Sequence, residues 1–309
     1  KKYLYYIDSI NYDFYVIKKI GFYINLMKIF KKIKREWTAL LSEIHIRYVQ
    51  TNYLGLTLKI PLIYGMRNGG YIVPAEFWMS NCLESFIKTK EGCIVDVGVN
   101  VGLYLVKLKA LSNEIDYYGI DSSPACIFYT QELIRLNQFE RAKLFTTALS
   151  DSNEIVEFYS NTHDDRMGSL IKQHHEYTMG FSFSTLSMTG DNLINLLKVE
   201  QISAIKIDVE GAELMVLKGM EKSIEQYRPY LYVEILFTKN QEDIDSAMNI
   251  CNFIQKMNYS ILGVNLTSQK TEKITNIDKV GKDYDCNYVF APNEHLTQFI
   301  STLESFNHP

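Results

Sequence analysis

Short runs of β-branched and aromatic residues alternate with longer amphipathic stretches through most of the chain. The runs predict strands at 93–97, 116–121, 143–148, 203–208, 230–235, 259–264 and 286–291. The stretches between the first six strands predict helices at 102–111, 124–138, 211–225 and 241–256. Strands that alternate with helices predict an α/β fold on a doubly wound, mainly parallel sheet, here of seven strands.

Residues 1–75 are predicted to form an extension ahead of a main domain at 76–309. Apolar positions recur every three or four residues among lysines from about 15 to 48, which predicts a basic amphipathic helix. Strand-like runs on both sides of the turn at 67–70 predict a small hairpin over 51–75, and a helix follows at 76–88. Residues 150–201 exceed a simple crossover and predict an insertion that carries substrate contacts.

Composition narrows the class of protein. The 309 residues are 47% hydrophobic and 22% charged, as in ordinary globular proteins. Five cysteines without a CxxC pair favour a reducing, cytoplasmic compartment, and no apolar run of about 18 residues predicts a membrane-spanning helix. Residues 1–50 hold ten Lys or Arg against four Asp or Glu; the remainder holds 22 against 32. An acidic body argues against nucleic acid as a partner.

The run from Cys93 to Tyr104, CIVDVGVNVGLY, predicts a buried strand, a tight glycine turn and a helix start. Such a turn brings backbone amides close to a ligand. A dinucleotide fingerprint would need a small residue where Leu103 stands, so the pattern disfavours a nicotinamide cofactor. The pattern D-x-G-x-N-x-G remains, with candidate cofactor residues Asp96, Gly98, Asn100 and Gly102.

Asp121 ends the second predicted strand, about 20 residues after the glycine turn. A carboxylate at this place accepts hydrogen bonds from the ribose hydroxyls of a nucleoside cofactor, and Ser122 follows it. The alternative role of Asp121 is to cap the next helix, because Ser122, Ser123 and Pro124 are typical of a helix start.

A second motif, IKIDVEGAELMVLKG from Ile205 to Gly219, predicts a buried strand that delivers Asp208 and Glu210 to its carboxyl end. Glu234 ends the neighbouring predicted strand and is expected close to Asp208, with Asn287 facing the same edge. These carboxylates are the candidate catalytic groups, one of them deprotonating a hydroxyl. Two alternatives stay open: Glu210 and Glu213 cap the helix, or a divalent cation such as Mg²⁺ bridges the oxygens, which the spacing does not require.

These motifs together resemble the FkbM family of S-adenosylmethionine-dependent methyltransferases over about residues 71–292. The segments that carry the resemblance are IVDVGVNVGLYL, GIDSSP, ALSD, IKIDVEGAELMVLKG, YVEI and YVFAPN. Val99 stands where the family usually has Ala, and Asp121 where it usually has Glu. The resemblance implies a class I, Rossmann-like methyltransferase fold with an antiparallel last strand.

The resemblance also implies the ligands. S-adenosylmethionine would lie over the glycine turn, with its adenine near Ala148 and Leu149, and the acceptor would be a hydroxyl of a sugar or glycan precursor. Two other classes stay open: a cofactor-binding protein without transfer activity, and a nicotinamide-dependent oxidoreductase. For the N-terminal helix, docking on the main domain or a partner subunit and peripheral contact with the inner membrane face both stay open.

Overall fold

The structure is a computed structural model that describes residues 47–63, 77–160, 168–171, 180–235, 241–265, 271–276, 280 and 284–306. The predicted N-terminal helix up to residue 46, the predicted turn at 67–70 and the histidines at 163, 174 and 175 lie outside the described residues.

A mixed sheet of eight strands forms the centre of the main domain. In chain order its strands are β3 (Cys93–Val97), β4 (Tyr117–Asp121), β5 (Ala142–Thr146), β9 (Ile202–Ile207), β10 (Tyr230–Glu234), β11 (Tyr259–Asn265), β12 (Thr271–Lys273) and β13 (Tyr284–Pro292). Their spatial order is β12-β11-β13-β10-β9-β3-β4-β5. β13 runs antiparallel to both neighbours, as predicted. The prediction of seven strands was wrong by one, because β12 pairs with the outer edge of β11.

Helices cover both faces of this sheet. They are α1 (Phe77–Thr89), α2 (Leu103–Leu111), α3 (Pro124–Asn137), α4 (Gly190–Leu197), α5 (Glu213–Gly219), α6 (Glu221–Tyr227), α7 (Gln241–Lys256) and α8 (Leu296–Ser305). The predicted helix at 211–225 is two helices that meet at Met220, whose ψ of 12° interrupts the helical backbone. Two buried apolar clusters pack around the sheet, and every residue of β3 and β9 is buried. This burial explains why both strands are almost continuously apolar.

The insertion forms a sheet of its own. β6 (Ala148–Leu149), β7 (Glu154–Ser160) and β8 (Phe181–Met188) are arranged in the order β6-β8-β7. The strand predicted at 143–148 therefore ends at Thr146, and Ala148 already belongs to the insertion because it pairs with Ser187. The β-branched and aromatic run IVEFYS of the insertion lies in β7.

A hairpin precedes the main domain, but at a different place from the predicted one. β1 (Tyr48–Tyr53) and β2 (Leu56–Pro61) are joined by a turn at Leu54 and Gly55, both with positive φ. Tyr48, the predicted end of the N-terminal helix, therefore lies in a strand. Asn137 of α3 ties the hairpin to the main domain, since its side chain makes two 2.7 Å hydrogen bonds with the backbone of Lys59. No helix among the described residues has the length and apolarity needed to span a membrane.

Candidate cofactor and catalytic site

The glycine turn joins β3 to α2 at the carboxyl edge of the sheet. Gly98 has φ +84°, and a Cβ atom there would lie 1.8 Å from the carbonyl oxygen of Asp208. Asn100 also has positive φ, 54°, and Gly102, φ +81°, is the residue that starts α2. The chain therefore needs glycine at position 98 both for its backbone conformation and for its contact with the neighbouring strand end.

Asp121 holds this turn in place. Its Oδ2 accepts the backbone amide of Asn100 at 2.8 Å, and its Oδ1 accepts the amide of Ser123 at 2.8 Å. Burial raises the pKa of Asp121 to about 6, although the amides of Ser123 and Asn100 lower it. Capping of α3 falls to Ser123, whose hydroxyl accepts the Cys126 amide. Each carboxylate oxygen has a second lone pair, so Asp121 retains the capacity to accept ribose hydroxyls.

A cleft opens above the turn and the strand ends, and the empty space between its lining atoms, including the part open to solvent, is about 580 Å³. Backbone and side chains of the glycine turn, the end of β4, the insertion and the Asp208–Ala212 loop form its walls. The lining residues are Val97, Gly98, Asn100, Ile120, Asp121, Ser122, Cys126, Thr147, Leu149, Phe158, Gly168, Leu170, Asp208, Val209, Glu210 and Ala212. The cleft has apolar walls and a few polar groups, which is typical of sites for small organic ligands.

Asp96 lies beneath the turn and does not line the cleft. It is fully buried in β3, where its Oδ2 accepts the Tyr117 hydroxyl at 2.5 Å and its Oδ1 lies 3.3 Å from the Lys206 ammonium. Burial raises the pKa of Asp96, while Lys206 and Tyr117 lower it. Its observed contacts support the strand and turn from below.

Asp208 and Glu234 come together as predicted. β9 and β10 are parallel neighbours, and their ends bring the two carboxyl groups side by side. Burial and the nearby Asp208 charge raise the pKa of Glu234 to about 8. The Cys286 thiol lies 3.4 Å from Glu234 Oε1, and Asn287 pairs in register with Glu234. Asp208 lines the cleft, whereas Glu234 lies behind it.

The loop after β9 is held by Glu213. Its Oε1 accepts the amides of Gly211 at 2.9 Å and Val209 at 3.3 Å, which belong to the loop, and the start of α5 has no side-chain cap. The predicted capping of the helix by Glu213 was therefore wrong, because its carboxylate turns back onto the loop. Burial raises the pKa of Glu213 to about 7, although these amides lower it. Glu210 has φ 54°, and its backbone oxygen accepts the Ser169 hydroxyl at 2.6 Å. The insertion therefore contacts the same loop that carries the candidate catalytic groups.

Most of the predicted site residues converge on the cleft. Those that line it are Gly98, Asn100, Asp121, Ser122, Leu149, Asp208 and Glu210, whereas Asp96, Gly102, Ala148 and Glu234 support it from outside. Lys206 was missed by sequence reasoning, although a lysine inside the apolar run of β9 was a signal. Phe158 was missed as well, because it reaches the cleft through the pairing of β7 with β8, two strands that lie about 20 residues apart in the chain.

The residues at the cleft fit S-adenosylmethionine. A carboxylate stands at the end of β4, backbone amides follow the turn, and Asp208 and Glu210 line the cleft, which suits a ligand that carries a positive charge. Across the described ranges, no three His, Cys, Asp or Glu side chains form a group suited to a metal ion.

The sheet order, its antiparallel β13 and the ligand cleft at the carboxyl edge define a class I S-adenosylmethionine-dependent methyltransferase fold. The model of the methyltransferase FkbM domain matches residues 96–261, more than half of the chain. The chain therefore belongs to the FkbM methyltransferase family. A search of curated proteins found no match.

Three solved structures that are similar to this chain are methyltransferases of low sequence identity. Methyltransferase FkbM from Methylobacillus flagellatus KT is 17% identical at a TM-score of 0.42, over 65% of this chain and 43% of that one. Precorrin-6y C5,15-methyltransferase from Geobacter metallireducens GS-15 is 6% identical at 0.37, over 69% and 83%. A SAM-dependent methyltransferase from Aquifex aeolicus is 12% identical at 0.36, over 69% and 88%. This chain thus spans less than half of the first of these proteins.

Proposed function

We propose that this protein transfers a methyl group from S-adenosylmethionine to a hydroxyl oxygen of a sugar or glycan precursor. The observation that carries the proposal is the pair of neighbouring carboxyl groups of Asp208 and Glu234, of which Asp208 lines the cleft beside the glycine turn. A cofactor turn and a proton acceptor at one strand edge are the two parts that methyl transfer to oxygen needs.

The cofactor would be held by residues of three segments. The turn from Gly98 to Gly102 would follow its methionine part, Asp121 would accept its ribose hydroxyls, and Ser122 and Leu149 would flank its adenine. The bound cofactor supplies a methyl group activated by a positive sulfonium. Because the donor is already reactive, the protein acts mainly by holding the acceptor oxygen in line with the methyl carbon.

Asp208 is the proposed general base. The acceptor hydroxyl gives its proton to the Asp208 carboxylate while its oxygen forms the new bond to the methyl carbon. The carbon–sulfur bond breaks and its electron pair stays on sulfur, so the products are a methyl ether and S-adenosylhomocysteine. Burial and the Asp208 charge raise the pKa of Glu234, so a protonated Glu234 can donate a hydrogen bond to Asp208, and Glu210 stands at the cleft wall.

The charge of the cleft supports an uncharged acceptor. Asp121, Asp208 and Glu210 line it. Lys206 is buried beneath the cleft, where its ammonium group pairs with the carboxylates of Asp96 and Asp208. Such surroundings disfavour a phosphate or carboxylate at the acceptor position. A sugar hydroxyl, which the resemblance to the FkbM family implies, meets this condition.

The first test is calorimetric titration of S-adenosylhomocysteine into the wild-type protein and Asp121→Ala. We expect micromolar binding that Asp121→Ala weakens about tenfold or more, the scale of losing charged hydrogen bonds. Asp116→Ala is the matched control, because Asp116 precedes the same strand at its opposite end and forms an exposed ion pair with Arg141. Absence of binding by the wild-type protein would contradict the proposal.

The second test follows methyl transfer from labelled S-adenosylmethionine to a panel of sugars and glycan precursors. We expect Asp208→Asn to retain cofactor binding and to lose about 100-fold in transfer rate, as expected for a general base. Full turnover by both Asp208→Asn and Glu234→Gln would refute the assignment of the carboxyl pair. Cofactor binding without transfer to any acceptor would favour a non-catalytic binding protein.

The N-terminal 50 residues are proposed to make a peripheral contact, with either an anionic membrane or a partner subunit, through their basic charge. Flotation with anionic vesicles, with and without residues 1–50, tests the membrane contact. Flotation that does not depend on these residues would contradict it.

A further inference from the structure

Lys206 lies between the cofactor turn and the candidate base. Its ammonium nitrogen is 2.6 Å from the Gly98 carbonyl oxygen, 3.1 Å from Asp208 Oδ2 and 3.3 Å from Asp96 Oδ1. An ammonium group carries three hydrogen-bond donors, and here three acceptors surround it. The side chain is only 6% exposed, so these contacts replace water.

If Lys206 served only to neutralise the charge of Asp96, one contact with Asp96 would be enough. Asp96 stands directly opposite Lys206 on the adjacent strand and would balance its charge. The additional contacts reach the turn on one side and the cleft-lining Asp208 on the other, so Lys206 connects the two parts of the proposed site. Burial would lower the pKa of Lys206, but the carboxylates of Asp208 and Asp96 outweigh it and raise this pKa above its ordinary value.

Asp208 therefore has two different neighbours. The Lys206 ammonium lies 3.1 Å from one side of its carboxylate, and the Glu234 carboxyl group of the neighbouring strand end lies on the other. The titratable and charged groups around this pair are Asp96 on β3, Tyr117 and Asp121 on β4, Lys206 on β9, Glu210 and Glu213 in and after the following loop, and Cys286 on β13.

We propose that Lys206 is a positioning residue that holds the Asp208 carboxylate beside the carbonyl group of the cofactor turn, so that its negative charge faces the cofactor sulfonium and its oxygen faces the acceptor hydroxyl. This inference rests on the proposed function, because it places the cofactor sulfonium near Asp208.

The test compares S-adenosylmethionine with S-adenosylhomocysteine. The two ligands differ in the methyl group and its positive sulfonium, so the ratio of their Kd values reports the charge that the site presents to the sulfonium. Loss of Lys206 alone would leave Asp96 buried without its cation, which can prevent folding. The variant is therefore Asp96→Asn with Lys206→Met, which removes one charge of each sign.

At pH 7 we expect wild-type protein to prefer S-adenosylmethionine. In the double variant the Asp208 carboxylate loses the cation that holds it beside the turn, and the preference should fall about three- to fivefold, the effect of one partly exposed charge pair. Asp208→Asn should reduce the preference by a similar factor, and adding the double variant to Asp208→Asn should reduce it no further. Lys206→Arg, which keeps the cation, should retain the preference within about twofold.

A merely structural role for Lys206 would weaken both ligands equally and leave their ratio unchanged, which would overturn the inference. The inference would also be overturned if the double variant lowered the preference for S-adenosylmethionine further when it is combined with Asp208→Asn. These results differ from failure of the proposed function, in which the wild-type protein binds neither ligand.

Discussion

Asp96 and Lys206 face each other across the two central strands β3 and β9, with 3.3 Å between Oδ1 and Nζ. Both side chains are buried, and each has further partners: Tyr117 for Asp96, and Gly98 and Asp208 for Lys206. The buried ion pair at the centre of the sheet is therefore linked to the cofactor turn through the contact of Lys206 with Gly98. This arrangement makes the site sensitive to changes that do not touch the cleft.

Replacement of Tyr117 by Phe is expected to destabilise the protein by about 2 kcal/mol, because it removes the donor from the buried Asp96 Oδ2. Urea denaturation at pH 7 measures this loss. Tyr118→Phe is the control, since the neighbouring tyrosine is only half-buried and lies over Lys143. Equal losses of unfolding free energy in the two variants would show that the hydrogen bond from the Tyr117 hydroxyl to Asp96 does not stabilise the protein.

Replacement of Gly98 by Ala is expected to abolish binding of S-adenosylhomocysteine and to destabilise the fold by about 3 kcal/mol or more. An alanine there combines left-handed backbone strain with a Cβ atom 1.8 Å from the Asp208 carbonyl oxygen. Gly55→Ala separates the two effects, because Gly55 has the same φ of +84° and no atom within 4 Å of the added Cβ. We expect it to lose about 1 kcal/mol and to bind the ligand normally.

The affinity for S-adenosylhomocysteine is expected to fall as the pH drops through about 6. Asp121 has its pKa raised to about 6 by burial, and only its ionised form accepts hydrogen bonds at both oxygens. At pH 5 about nine-tenths of it would be protonated, so Kd should rise about tenfold relative to pH 7.5. Calorimetric titrations at several pH values measure this change. Asp121→Asn should lack this step, and a step of the same size in that variant would assign the titration to another group.

Stability is expected to fall as the pH rises from about 5 to 9, in part because of Glu234. Its pKa of about 8 in the folded protein lies above the unfolded value of about 4.3, so between these values the native state binds the extra proton. Glu234→Gln should remove about 2 kcal/mol of this decrease, a figure reduced for the partial exposure of the carboxyl group. Chemical denaturation at both pH values tests this, with exposed Glu221→Gln as the control. An unchanged pH dependence in Glu234→Gln would contradict the expectation.

The order of strands and helices and the glycine turn could be predicted because they depend on residues close together in the chain. Ile94, Val95 and Val97 favour a buried strand, and Gly98 and Gly102 permit the turn that follows. The meeting of Asp208 with Glu234 was predictable too, since consecutive parallel strands place their ends at one edge. Such features can be predicted from the hydrophobic periodicity, the residue preferences of turns and the rule that parallel strands end at the same edge of a sheet.

Other features were decided by the tertiary structure. Asp96 and Gly98, two of the three partners of Lys206, lie 110 and 108 residues before it in the chain. Phe158 reaches the cleft because β7 pairs with β8 across the insertion. The sequence by itself determined which segments become strands, helices and the cofactor turn, because these follow from local backbone preference. The tertiary structure decided which buried charges contact each other, because strand register and packing bring the segments together. A buried charge is tolerated only when an opposite charge or a hydrogen-bond partner lies beside it.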